Sequence, residues 1–171
     1  MRSGKIVFQH SSNLRRLAMN GKNDAVEDIV CEIGINAPQH VVWETLTAPE
    51  TVPEWLGCIG YSGKIGGLFY MQPDEAKRQV GDLDGATHCE IETMNKPDTF
   101  IFSWFFPDTP KTYVRIDLDE DGPDRTKVRL KHFGWDQFPA HIIRHVRDGL
   151  AGGWESAVLP NFKMAAESRS A

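Results

Sequence analysis

The pattern of hydrophobic and polar positions sharpens from Val26 onward. Ile29, Cys31, Ile33 and Ile35 fall on one side, and Val30, Glu32 and Gly34 on the other. A period of two with β-branched residues predicts a strand. Ala37-Pro38 ends it, and Pro38 suits the first turn of a helix. Val41, Val42, Thr45 and Leu46 then form a short helical stripe with Trp43 beside it. Thr47-Ala48-Pro49-Glu50 restarts a second short helix that runs to Trp55.

A glycine-rich bend, Gly60 to Gly67, leads into a strand at Leu68–Met71. Gln72 to Gln79 reads as a polar turn. Four more strands are expected over Ala86–Met94, Thr99–Phe106, Thr112–Leu118 and Thr126–Phe133. Segments rich in Pro, Asp, Asn and Gly separate them, which predicts an antiparallel meander. From Pro139 the spacing changes. Ile142/Ile143, Val146, Leu150, Trp154 and Val158 recur at three- and four-residue steps, as in a long amphipathic helix. Gly149, Gly152 and Gly153 weaken that helix, and Pro160 is expected to bend or restart it. The order predicts an α+β fold: a curved antiparallel sheet of about six strands, wrapped around the C-terminal helix, with two short helices after the first strand. Residues 1–24 are polar and weakly patterned and are expected to be a flexible leader. Residues 25–168 are expected to form a single domain.

Composition narrows the functions. The 171 residues are 40% hydrophobic and 25% charged, within the globular range. Five Trp and nine Phe suggest a bulky interior or an aromatic-lined pocket. The formal net charge of −5 opposes nucleic-acid or anionic-membrane binding, and Lys5, Arg15 and Arg16 are too few to make a basic arm. Three cysteines, Cys31, Cys58 and Cys89, form no C-x-x-C pair; they read as reduced thiols of a cytoplasmic protein.

A series of short motifs runs in order along the chain. Ala37-Pro38-x3-Val42-Trp43-x2-Leu46-Thr47-x-Pro49-Glu50 is followed by Trp55 and by Ile65-Gly66-Gly67-x-Phe69. Gly85, Glu90-Ile91, Phe102-Ser-Trp104, Thr126-x-Val128-x-Leu130-x-His132 and Gly153-Trp154 complete it. The set, over about residues 26–166, resembles the activator of heat-shock protein 90 ATPase homologue family of the START-like, polyketide-cyclase and birch-allergen superfamily (SRPBCC). The resemblance implies a helix-grip fold and an internal cavity for an apolar or aromatic small molecule. It implies a chaperone contact and a stress role more weakly, and cyclase or hydrolase chemistry in a minority of members. The stretch from Glu155 to Pro160 departs from the smooth Leu-rich helix that the family leads one to expect.

Strand and helix parity selects the side chains for such a cavity: Phe69, Met71, Phe102, Trp104, Phe106, Val114, Ile116, Leu130, His132, Leu150, Trp154 and Val158. Plain core packing accounts for most of them equally well. His132 is the candidate catalytic residue, because a cavity histidine can orient a ligand or act as a general base. Tyr61, Tyr70 or Tyr113 are its possible helpers. No nucleophile or paired acid accompanies it, so a histidine satisfied by its neighbours is the preferred reading. Trp43, Trp55 and Trp154 are expected to be scaffold, and Trp135 to sit at the cavity mouth. Parity sends His88, Glu90 and Glu92 outward. His141 and His145 share a helix face, but without a third ligand a solvated face is expected rather than a metal site. No cofactor is expected. The readings rank as hydrophobic-ligand binding, then cyclase or hydrolase, then co-chaperone, in a monomer or homodimer.

Overall fold

The structure, a computed structural model, describes residues 25–171; the expected leader, residues 1–24, lies outside them. Strand β1 spans Ile29–Ile35. Helix α1, Gln39–Thr47, starts where the Pro38 carbonyl accepts the amides of Val41 and Val42. Helix α2, Val52–Leu56, has a proline in its first turn and stops at Gly57, whose φ of +69° ends it in a left-handed turn.

The meander follows as β2 (Cys58–Ile59), β3 (Leu68–Met71), β4 (Thr87–Asn95), β5 (Thr99–Phe105), β6 (Thr112–Glu120) and β7 (Thr126–Phe133). All neighbours are antiparallel, in the order β1-β7-β6-β5-β4-β3-β2. The first strand thus closes beside the last.

The sheet has seven strands, not six. The added one, β2, pairs only Cys58 with Met71 and Ile59 with Tyr70, too short a run to show a period. The segment expected to be a polar turn, Gln72–Gln79, contains helix α3, Glu75–Val80, which buries no side chain. Its hydrophobic period is therefore absent. It rests on local chemistry, the Asp74 carboxylate accepting the Lys77 amide at 3.1 Å and Gly81 closing the far end.

Parity sorts the two faces of the sheet. Phe69, Cys89, Ile91, Phe100, Phe102, Val114, Ile116, Leu118, Val128 and Leu130 point to the concave side and are buried. The convex side carries ion pairs, with Lys111 Nζ 2.7 Å from Glu90 and 3.5 Å from Glu92, and Arg115 Nε 2.8 Å from Asp117.

After β7 a 3-10 turn, Trp135–Gln137, leads to helix α4, Ala140–Gly153. A π-helical turn at Trp154–Val158 joins it to helix α5, Leu159–Ser170, with Pro160 in the first turn of α5. The interruption at Pro160 has a simple cause: proline has no N–H to continue the ladder. The long C-terminal helix packs against the curled half-barrel. Its α5 half meets α1, α2 and β1, with Phe162 fully buried and its ring 4.8 Å from that of Trp55.

An exposed strand edge invites unwanted pairing. Here the C-terminal helix covers the β1 edge with side chains. Arg147 donates to the carbonyls of Glu27 at 2.9 Å and Asp28 at 3.0 Å. Lys163 donates to Gly34 O at 2.8 Å, and Glu167 accepts the Asn36 amide at 2.9 Å.

Candidate functional site

His132 lies on β7 between Ile29 of β1 and Val114 of β6, and all three are fully buried on the concave side. Its ring is edged by three tryptophans, with centroids 4.4 Å from Trp135, 5.6 Å from Trp104 and 6.0 Å from Trp154. Trp154 Nε1 donates to His132 Nδ1 at 3.2 Å. An indole N–H cannot accept, so Nδ1 is bare and the ring proton sits on Nε2. Nε2 is 2.8 Å from Thr112 Oγ1, which therefore accepts from it. The Thr112 hydroxyl in turn donates to the Trp104 carbonyl at 2.9 Å. The relay is closed: no polar side-chain atom in it lacks a partner, and each proton has one acceptor. Burial lowers the imidazole pKa from 6.5 to about 3.

That arrangement bears on chemistry. A histidine with both nitrogens engaged and so low a pKa takes up a proton poorly near neutrality. The tyrosines considered as its helpers do not join it. The Tyr61 hydroxyl donates to Thr47 O at 2.8 Å, deep in the core. Tyr70 and Tyr113 sit on the convex face, against His88 and Phe133 respectively, because each is one residue out of phase with the concave set. The cysteines are poor nucleophiles as well. Burial pushes the Cys58 thiol up to about 12 and Cys89 well above its ordinary range. Cys31 is also raised, by burial first and by nearby Glu155 second.

The side chains selected by parity fall into three sets. Phe69, Phe102, Val114, Ile116, Leu130 and His132 expose no surface, and Trp104 and Trp154 almost none. Met71, Leu150 and Val158 are half-buried at the margin of the core. Phe106 lies one residue beyond the end of β5, and 42% of its surface is exposed. Trp104, Phe106, His132 and Trp154 come together at one end of the concave face, with the Trp104 and Phe106 rings 5.3 Å apart. Phe69 and Phe102, centroids 5.5 Å apart, form a separate group with Tyr61 and Phe100.

Two members of this site escaped the sequence reading. Thr112 shares the parity of Val114, a signal that was present and unused. Trp135, expected at a mouth, is 1% exposed; Gly134, at φ +98°, turns the chain so that the indole folds inward and donates to His132 O at 3.1 Å. His141 and His145 are exposed on α4, and Glu90 is held on the convex face by Lys111.

The seven-stranded half-barrel gripping a C-terminal helix defines an α+β protein of helix-grip type. Residues 36–166 match the family described as Activator of Hsp90 ATPase homolog 1-like protein, and the chain belongs to it. No curated protein matches the sequence. Among solved structures, the chain is similar to an HSP90 activator from Plasmodium falciparum, with a TM-score of 0.61, 17% identity, and coverage of 80% of this chain and 94% of that one. It is similar to the Aha1 dimer from Colwellia psychrerythraea, with a TM-score of 0.60, 18% identity, and coverage of 82% and 96%. It also resembles a protein in the dynemicin biosynthetic locus, at 0.60, 18%, and coverage of 84% of this chain and 48% of that one. At such identities these likenesses are of fold. Among the described residues, no helix is long and apolar enough to cross a membrane.

Proposed function

We propose that the protein binds a small hydrophobic or aromatic molecule between the concave face of the sheet and the C-terminal helix. The observation that carries this reading is the uncovered apolar margin beside the aromatic cluster. Phe106 stands exposed against buried Trp104, and Met71, Leu150 and Val158 are only half covered. Phe69, Phe102, Val114, Ile116 and Leu130 expose no surface in the free protein and back that margin as packed core, with Trp104, Trp154 and His132 behind its aromatic end. An apolar site with few polar groups selects by shape and stacking. The free thiols agree with a cytoplasmic location.

Thermal-shift and native mass-spectrometry screening with aromatic polyketides, flavonoids, fatty acids and sterols tests the proposal. A guest at 100 times its Kd adds about 2.7 kcal/mol of stability. In a domain of this size that raises Tm by roughly 5–10 °C. Phe106→Ala should weaken the binding and leave the fold intact, since nearly half of that side chain is already in water. No shift with any of the four classes refutes the reading.

Family membership and the likeness to an HSP90 activator favour a second reading, contact with a chaperone of that class. The ATPase rate of the host's HSP90 with and without the protein decides it, and an unchanged rate removes it. The cyclase or hydrolase reading is weaker, because it depended on His132 as a base and both of its nitrogens are committed. The dimeric relative makes a homodimer the state to check by light scattering.

A further inference from the structure

One hydroxyl on the concave face has nothing to bond. Thr87, the first residue of β4, shares the inward parity of Cys89 and Ile91 and stands directly opposite Met71 of β3. On the same face the hydroxyls of Tyr61, Thr112 and Thr126 each donate to a backbone carbonyl, those of Thr47, Trp104 and Ala37 respectively. Thr87 Oγ1 has no such partner among the described residues. Among those residues, no fully buried side-chain oxygen or nitrogen is left unpaired. The unpaired Thr87 hydroxyl is therefore one that solvent or a guest can touch, and the residue is half-buried.

Its neighbours define what such a guest would meet. Thr87 lies one step beyond the His88–Phe105 pair, level with the point where Phe106 leaves β5. Met71 flanks it on the other side, and Cys58 of β2 follows Met71 in the same row. The row is a thiol, a thioether, a hydroxyl and a half-exposed ring, and it runs along the uncovered margin described above. None of these groups is charged. Burial keeps the Cys58 thiol protonated. Arg78, near Cys58, is spent on the Gln72 carbonyl at 2.6 Å. A carboxylate entering here would lose its hydration without gaining an ion pair. A neutral hydroxyl or carbonyl would lose little, because the Thr87 hydroxyl can both donate and accept.

We propose that Thr87 is the polar anchor of the site, and that the guest is a neutral aromatic molecule bearing a hydroxyl or carbonyl group. The ring packs against Phe106 and Met71, and the polar group hydrogen-bonds Thr87 Oγ1. This rests on the binding reading above and narrows it, away from fatty acids and bare hydrocarbons. Thr87 sets specificity more than affinity, since one net hydrogen bond contributes less than burial of an aromatic ring.

Isothermal titration calorimetry on the full chain at pH 7, with 2-naphthol, naphthalene and 2-naphthoate as probes, tests it. Naphthol should bind about 5-fold more tightly than naphthalene, the effect of one net hydrogen bond. Naphthoate should bind at least about 10-fold more weakly than naphthol. Thr87→Val keeps the side-chain shape and suits a strand, but removes the hydroxyl. It should erase the advantage of naphthol, leave naphthalene binding no weaker and leave the circular dichroism unchanged. Thr87→Ser should restore the advantage. A merely structural role would weaken both ligands together in Thr87→Val, and that result overturns the anchor. Equal binding of naphthol and naphthalene by the wild type overturns it too, as does tighter binding of naphthoate, while the binding reading stands. If none of the three probes and no screened ligand binds, the binding reading fails and the anchor falls with it.

Discussion

Acid should destabilise this protein in large part through His132, and the size of that contribution follows from the relay around it. In the native state the imidazole is neutral, with its pKa lowered to about 3 by burial alone; in the unfolded chain it returns to 6.5. The depressed value means that the native state resists a proton that the unfolded state accepts. Stability from this group is therefore complete above pH 6.5 and is lost as pH falls, down to about pH 3. Between those limits the unfolded state carries about one more proton, a slope of about 1.4 kcal/mol per pH unit. From pH 7 to pH 5 the loss is about 2 kcal/mol, and by pH 4 about 3 kcal/mol. That is a large share of the roughly 5–15 kcal/mol that holds such a domain together. Geometry gives the same sign. A protonated ring places N–H on Nδ1 against the Trp154 N–H, two donors 3.2 Å apart in a dry site. Urea unfolding at pH 7, 6, 5 and 4 measures the slope, with His132→Gln as the control. The variant keeps an acceptor and a donor but cannot titrate; it loses stability at every pH and shows a slope shallower by one proton. Carboxylates contribute to both proteins alike. Equal slopes in wild type and variant between pH 6 and pH 4 would refute the reasoning.

Phe162→Ala should cost about 3–5 kcal/mol in urea unfolding, because a fully buried ring that packs on Trp55 leaves a cavity between α5 and α2. Gly134→Ala should cost about 1–3 kcal/mol, since it forces a side chain to φ +98° and sets its Cβ 3.4 Å from the Thr112 backbone. Near-ultraviolet circular dichroism should report the displaced Trp135 in that variant, and an unchanged spectrum with unchanged Tm would count against its inward-turning role.

The sheet was legible because its signal is repetitive. Residues 114–118 alternate without a break, and a one-residue slip would drive Arg115 and Asp117 into the core in place of Val114 and Ile116. The same rule identified the convex positions of Glu90 and Glu92, and helical spacing identified the segment that begins after Pro139. Signals failed where the stabilising chemistry is not periodic. Helix α3 rests on a cap and a glycine rather than on an apolar face, and β2 is two residues long.

The amino-acid sequence alone determined which side chains turn inward, where proline and glycine punctuate the chain, and that one long helix closes it. Those outcomes depend on neighbours two to four positions away, and such neighbours are visible in order. Only the tertiary structure decided that His132 is neutral and saturated, that Trp135 folds inward, and that Arg147 and Lys163 guard the β1 edge. Those outcomes rest on partners as far as 129 positions apart, between Lys163 and Gly34. They rest too on a desolvation that exists only once the surrounding strands and helices have excluded water.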